Sequence, residues 1–284
     1  MPSLRLGTAQ WGLDYGITNS SGRISDSDLV GIVRLATECG IRLVDTAPAY
    51  GDAELRLGEV GGGFEIQTKV TGVQAEAGAI GSQIQESLTR LGRDSVESAL
   101  VHDWSALSPE ERAATRVGLV TAQALDLIDE MGVSLYEPRE LLSLVVEFPE
   151  ATVVQAPASV LDHRFLKEFR AGGNTFADVR FQARSVFLQG ALLSASDQLP
   201  FGGHLAICRV REVASKIGFT PVELSLAFVR SQPEIDEVVL GVTSESELAQ
   251  LLTAWEKSAV DVDWSSLESS DLELLDPRKW TRPI

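Results

Sequence analysis

The stretch RLVDTAPAYGDAELRLG, residues 42–58, reads as a strand, a sharp turn and a helix. Its apolar run stops at the carboxylate of Asp45, Tyr50 follows in the turn, and a helical pattern begins at once. A strand that ends in a charge points that end at something polar. The same unit recurs along the chain. Short β-rich runs near 4–9, 41–46, 64–69, 97–103, 126–134, 152–156, 179–186 and 236–242 alternate with longer helical patterns. In SDSDLVGIVRLATECG, Leu29, Ile32, Val33 and Ala36 share one helical face, with serines to cap it and Gly40 to end it. AIGSQIQESLTRLG repeats the device with Ile80, Ile84, Leu88 and Leu91. Eight strands alternating with helices over about 250 residues predict a parallel (β/α)8 TIM barrel. A doubly wound sheet is the competing architecture, but no GxGxxG follows any strand. No Pro-, Gly- or Ser-rich linker divides the chain, so a single domain over 1–284 is expected. A final helix after Val260 is expected to pack back on the barrel through Trp264, Leu267, Leu272 and Leu275.

Composition narrows the partners. The 24 basic and 41 acidic residues give a net charge of −17, which disfavours nucleic acid and anionic membrane surfaces. The first residues, MPSLRLGTAQWG, lack the basic and apolar regions of a signal peptide, and no apolar run reaches the roughly 18 residues of a membrane span. A soluble, cytoplasmic protein is expected. Cys39 and Cys208 fall in separate apolar helical patterns and read as small core residues, not a disulfide.

In such a barrel the functional residues come from the C-terminal ends of different strands. Those ends carry Asp45, Lys69 and His102, with Tyr50 just beyond Asp45. Singly, each has a plain structural reading: a cap, a solvated charge, a hydrogen-bonded histidine beside Asp103. On three successive strand ends they share one rim. A tyrosine near pKa ~10 transfers a proton poorly at neutral pH. An ammonium beside its oxygen favours the phenolate, and a carboxylate holds that ammonium charged. On this reading Asp45 keeps Lys69 ionised, Lys69 makes Tyr50 an acid, and His102 orients a carbonyl oxygen. Such a site protonates an oxygen while a hydride arrives from elsewhere. No side chain donates hydride, so a nicotinamide is implied.

These residues, with LGTAQWG, DTAPAYGDAELRLGE, IQTKV, LVHDW, ARSVFLQGALL and VVLGVTSESELAQLL around them, make the chain resemble a bacterial aldo-keto reductase over nearly its whole length. The resemblance implies that Asp45, Tyr50, Lys69 and His102 are the family's catalytic tetrad. It implies an NADPH site, with NADH possible, that includes Gly7, Thr8 and Asp45. Ser134 and Gln155 match residues that hold the nicotinamide carboxamide. Arg184 stands where many relatives have a tyrosine under the ring, and Ser185 and Phe187 match the pyrophosphate segment. Gly241, Thr243 and Ser244 would take a phosphate at a helix N-terminus, and Glu247 occupies a cofactor-side position. Ser134 serves equally as a helix cap, and Arg184 equally as the partner of an acidic loop. The expected substrate is a small-molecule carbonyl compound, such as a keto-sugar or secondary-metabolite intermediate. Tyr50 and His102 would touch it, and Trp11 and Trp104 would either wall it or merely pack the rim.

Three departures stand out. Leu135 replaces a common asparagine, Ala53 replaces a serine, and no Lys or Arg follows the eighth strand to pair with a 2′-phosphate. The irregular piece from Gln189 to Leu205 belongs on the functional rim, with Phe201 and His204 as candidate substrate contacts, and Gln198 to His204 has no role that the residues reveal. His163 reads as a surface residue before a helix. A non-catalytic nucleotide-binding barrel that retains the pocket is the competing function. A metal-dependent hydrolase needs more ligands than three histidines without HxH or HExxH spacing supply.

Overall fold

The computed structural model describes all residues except 20–21, 73–77, 194–200, 202, 258–259 and 281–284. Strands β1 (Ser3–Gly7), β2 (Leu43–Asp45), β3 (Glu65–Val70), β4 (Val96–Val101), β5 (Ile128–Ser134), β6 (Val153–Pro157), β7 (Arg180–Arg184) and β8 (Glu237–Gly241) form a closed barrel. Every neighbouring pair is parallel, and β8 closes on β1 with Gly7 opposite Gly241. Around it run α1 (Ala9–Gly12), α2 (Asp26–Glu38), α3 (Ala53–Val60), α4 (Ala79–Leu91), α5 (Pro109–Ala124) and α6 (Glu140–Glu147). They are followed by α7 (Arg164–Gly172), α8 (Leu205–Lys216), α9 (Pro221–Ser231), α10 (Glu245–Trp255) and the short α11 (Leu272–Leu275).

The helices begin where local chemistry tells them to. Ser25 caps α2 by accepting from Asp28 N, and Leu29, Ile32, Val33 and Ala36 are buried as the periodicity requires. Ser108 with Glu111, and Thr220 with Glu223, close capping boxes on α5 and α9, each with a proline in the first turn. The strands are shorter than the apolar runs suggest, for backbone reasons. Ile41 N–H donates to the Ala36 carbonyl and still belongs to the end of α2, so β2 begins only at Leu43. β7 stops at Arg184 because Ser185 turns the chain at φ +60°.

Several expectations need correction. Cys39 and Cys208 are both exposed: Cys39 lies past the last buried turn of α2, and Cys208 follows buried Ile207 and so points off the packed face. His163 is buried, with Nε2 3.1 Å from the Val160 carbonyl and its ring stacked on Phe228 at 4.7 Å. The tail is not one helix but three short turns, at Trp264–Leu267, α11 and Pro277–Lys279. Leu267, Leu274 and Leu275 are its buried anchors, whereas Leu272 is exposed. Trp264 meets Phe228 edge-on at 5.4 Å, and Ser269 N donates to the Leu161 carbonyl, which fixes the tail over the loop after β6. Among the described residues no helix is long and apolar enough to cross a membrane.

Alternation along the strands sends Arg5, Gln67, Ser98, Gln182 and Glu237 inward. They form a polar layer: Ser98 Oγ and Gln182 Nε2 donate to Gln67 Oε1 at 3.0 and 2.8 Å, and Gln182 Nε2 also reaches Glu237 at 3.0 Å. Arg5, fully buried, donates to Glu237 and to both oxygens of Glu97. Above this layer lies the rim.

Candidate active site

Asp45 ends β2, and the turn that follows carries Tyr50 over the barrel mouth. That turn is clamped by two glycines. A Cβ on Gly12 would collide with the Tyr50 carbonyl oxygen, and Gly51, at φ +62°, packs on the Gly12 carbonyl. Ala53 N then donates to Tyr50 O, and α3 begins.

Lys69, on β3 beside β2, is 1% exposed, and its Nζ lies 2.6 Å from each Asp45 oxygen. The same ammonium reaches the Thr46 carbonyl at 3.2 Å and the Tyr50 hydroxyl at 3.3 Å. Asp45 also accepts from Gln67 Nε2 at 2.7 Å and Gln155 Nε2 at 2.9 Å. His102, just past β4, meets the Tyr50 ring edge-on at 5.7 Å. The structure thus brings all four predicted side chains together.

Their protonation follows from burial and neighbours. Burial alone would push the Asp45 carboxyl up, but the Lys69 charge and three donors hold it below its usual value. Burial draws Lys69 down, against the attraction of Asp45. Burial, Lys69 and Arg184 take His102 from 6.5 to about 4, so its ring is neutral at working pH. Tyr50 corrects the sequence reading. Its phenol sits well above 10, because burial and the Asp45 charge raise it. Lys69 lies closer to the carboxylate than to the phenol oxygen, and Tyr50 keeps its proton.

Beside the tetrad opens a cavity of about 470 Å³. Of the residues assigned to cofactor or substrate, Gly7, Thr8, Asp45, Tyr50, His102, Ser134, Gln155, Arg184, Ser185, Phe187, Gly241, Thr243 and Glu247 line it. Ser185, Leu188 and Gln189 in the segment after β7 all have positive φ, a concentration of backbone strain against the cavity. Ser244 stays behind the wall as the cap of α10, accepting from Glu247 N. Glu247 turns back to the start of that helix, where one carboxylate oxygen accepts from Thr243 N at 2.6 Å and Thr243 Oγ1 at 2.7 Å. The donors expected to meet a phosphate already serve an internal carboxylate.

Trp11 and Trp104 do not wall the cavity. Both are wholly buried, Trp11 on α1 and Trp104 against Phe148 at 5.6 Å, because each follows its strand into the helical layer. His204 and Phe201 are also drawn away: His204 caps α8 and contacts Asp271 at 3.1 Å, and Phe201 packs on Trp280 at 5.2 Å. Gln198 to Pro200 and Gly202 lie outside the described residues. Arg209 and Arg211, on α8, are not part of the wall. Among the described residues no three His, Cys, Asp or Glu side chains group as metal ligands.

Sequence reasoning missed Tyr15, Tyr136 and Gln10, which also line the cavity, as does Gln189 at the start of the piece expected on the rim. It missed Gln67 and Gln182 beneath it, although each stands two residues before a rim residue, Lys69 or Arg184, and so faces the same way.

The sequence profile described as the Aldo/keto reductase family matches residues 3–271. An aldo-keto reductase of Mycobacterium avium (strain 104) is 27% identical over 255 residues, 87% of this chain and 78% of that protein. One from Mycolicibacterium paratuberculosis (strain ATCC BAA-968 / K-10) is 27% identical over 233 residues, covering 79% and 74%. Among solved structures, an aldo-keto reductase from Bacillus halodurans in its holo form superposes with a TM-score of 0.78 at 17% identity, over 98% of this chain and 95% of that one. A thermostable aldo-keto reductase in complex with the inhibitor epalrestat gives 0.72 at 22% identity, over 94% of each chain.

Proposed function

The chain belongs to the aldo/keto reductase family, and from that premise we propose that it reduces an aldehyde or ketone to an alcohol with Tyr50 as the general acid. The observation that carries this reading is the ammonium of Lys69, held between the Asp45 carboxylate and the Tyr50 hydroxyl. The Tyr50 phenol gives its proton to the carbonyl oxygen. As negative charge grows on the phenol oxygen, the Lys69 ammonium 3.3 Å away stabilises it without having to move. Neutral His102 donates a hydrogen bond to the same carbonyl oxygen and orients it. Asp45 holds Lys69 in place.

The cavity fits a nicotinamide. The Ser134 hydroxyl has no hydrogen-bond partner among the described residues, and Gln155, whose amide nitrogen is committed to Asp45, offers its carbonyl oxygen. Together they complement a carboxamide. When bound, the reduced ring supplies the hydride that reaches the carbonyl carbon. Gly7, Thr8, Ser185, Phe187 and Gly241 continue the track towards α10. Glu247 there disfavours a 2′-phosphate, so NADH is accepted alongside NADPH.

Tyr50→Phe tests the reading. Turnover, followed by loss of reduced-nicotinamide absorbance, should fall about 10²- to 10⁴-fold. Cofactor affinity, measured by fluorescence titration, should change little. A variant that keeps most of its turnover removes Tyr50 from the role of acid.

A further inference from the structure

Arg184 is the one lysine or arginine on the cavity wall among the described residues, and it has no carboxylate partner there. In a chain with a net charge of −17 that is unusual. Most other buried or half-buried arginines are neutralised, Arg5 by Glu97 and Glu237, Arg56 by Asp26 and Arg112 by Glu140, whereas half-buried Arg230, away from the cavity, donates to the Lys257 carbonyl and faces Trp255. Arg184 instead donates to two neutral oxygens, the Leu135 carbonyl at 3.0 Å and Ser185 Oγ at 3.3 Å. Its guanidinium lies over the Tyr136 ring, 4.1 Å from the centroid. These contacts fix the plane of the fork but leave its charge uncompensated and several of its five N–H donors unspent. A strut between β7 and the loop after β5 would need no charge at all.

One arm of the fork, Nη2, reaches the Leu135 carbonyl after β5, and Nη1 donates to Ser185 Oγ, where the proposed phosphate side of the cofactor track begins on its way to Phe187 and Gly241. Arg184 lines the same cavity as Tyr50 and His102, on the wall where the carbonyl would react. A guanidinium fork matches carboxylate and phosphate oxygens two at a time. We propose that Arg184 determines specificity here and selects carbonyl substrates that carry a carboxylate or phosphate group. The inference rests on the carbonyl-reduction reading above and names the substrate class for that site.

The test compares 4-carboxybenzaldehyde, 4-formylphenyl phosphate and the neutral methyl 4-formylbenzoate on wild type, Arg184→Met and Arg184→Lys. At least one anionic aldehyde should exceed the neutral one in kcat/KM by about ten- to hundredfold in wild type, mainly through KM. The better anion identifies the headgroup. Arg184→Met should bring the ratio to within about twofold of unity, and Arg184→Lys should restore part of it. Equal use of charged and neutral aldehydes by wild type overturns the proposal. So does an unchanged ratio in Arg184→Met accompanied by a tenfold or larger rise in the NADPH dissociation constant, which would give the guanidinium to the cofactor. Calorimetric titration with benzoate and with benzamide, with and without NADPH, separates the two readings. If no aldehyde reacts but benzoate still binds wild type and not Arg184→Met, the anion site stands and carbonyl reduction falls. If benzoate binds no better than benzamide, the anion site falls.

Discussion

At the scale of single residues, the site works by giving each charge one task. Lys69 is buried and would lose its proton there, so Asp45 is spent on keeping it charged. His102 has no such carboxylate within bonding reach, and it goes neutral with a pKa of about 4 against an ordinary 6.5. This has a consequence for stability. Between those two values the unfolded chain takes up a proton that the folded chain refuses, so stability is full above 6.5 and is lost as pH falls towards 4. From pH 7 to pH 5 the loss should be on the order of 2 kcal/mol. Urea midpoints of wild type and His102→Gln at the two pH values measure it. Equal acid sensitivity in both proteins would mean that His102 is protonated in the folded state. The same argument predicts no inflection from His102 in the kcat/KM profile above about pH 5.

At the scale of elements, the N-terminus of α10 is the informative one. A helix start favours anions, and a phosphate is the expected guest. Here the chain supplies its own anion, Glu247, bound to both donors of Thr243. Glu247→Arg removes that carboxylate and puts a fork at the cavity wall. The NADPH/NADH affinity ratio should rise by up to about tenfold, or 1.4 kcal/mol. Dissociation constants for both cofactors on both proteins decide it. A strong wild-type preference for NADPH that the substitution leaves intact would place phosphate recognition elsewhere. This element also marks where sequence reading stops. The strand ends were legible: Asp45, Lys69 and His102 each close a run of β-rich residues, and barrel topology alone brings such ends together. Helix caps were legible for the same local reason. What Glu247 bonds was not, because a glutamate three residues past Ser244 signals a capping box, in which its carboxylate would return to the Ser244 backbone instead of Thr243. Trp11 and Trp104 misled because an aromatic past a strand end goes either to the mouth or to the helical layer, and only packing chooses. Tyr136 and the Arg184 fork meet across the top of β6, a contact that no local pattern encodes.

At the scale of the molecule, one polar column runs from the floor of the barrel to the reaction site. Arg5 binds Glu237, Glu237 accepts from Gln182, Gln182 exchanges hydrogen bonds with Gln67, and Gln67 donates to Asp45. Most barrels of this kind fill the interior with branched apolar side chains. A column of amides and charges is tolerated only because its members satisfy one another, and removing one strands the rest. Arg5→Met is the sharpest probe. It leaves Glu237 and Glu97 facing each other inside the barrel, with Arg180 as their remaining cation. Breaking a buried pair costs about 3–5 kcal/mol, and since Arg180 still reaches both carboxylates, the lower end is expected. Adding Glu237→Gln to Arg5→Met should recover part of the loss, because it removes the charge left unpaired. Urea denaturation of wild type, the single and the double variant measures both steps. A loss below about 1 kcal/mol for Arg5→Met would mean that the column is solvated from the barrel floor and that its charges lie in effectively aqueous surroundings.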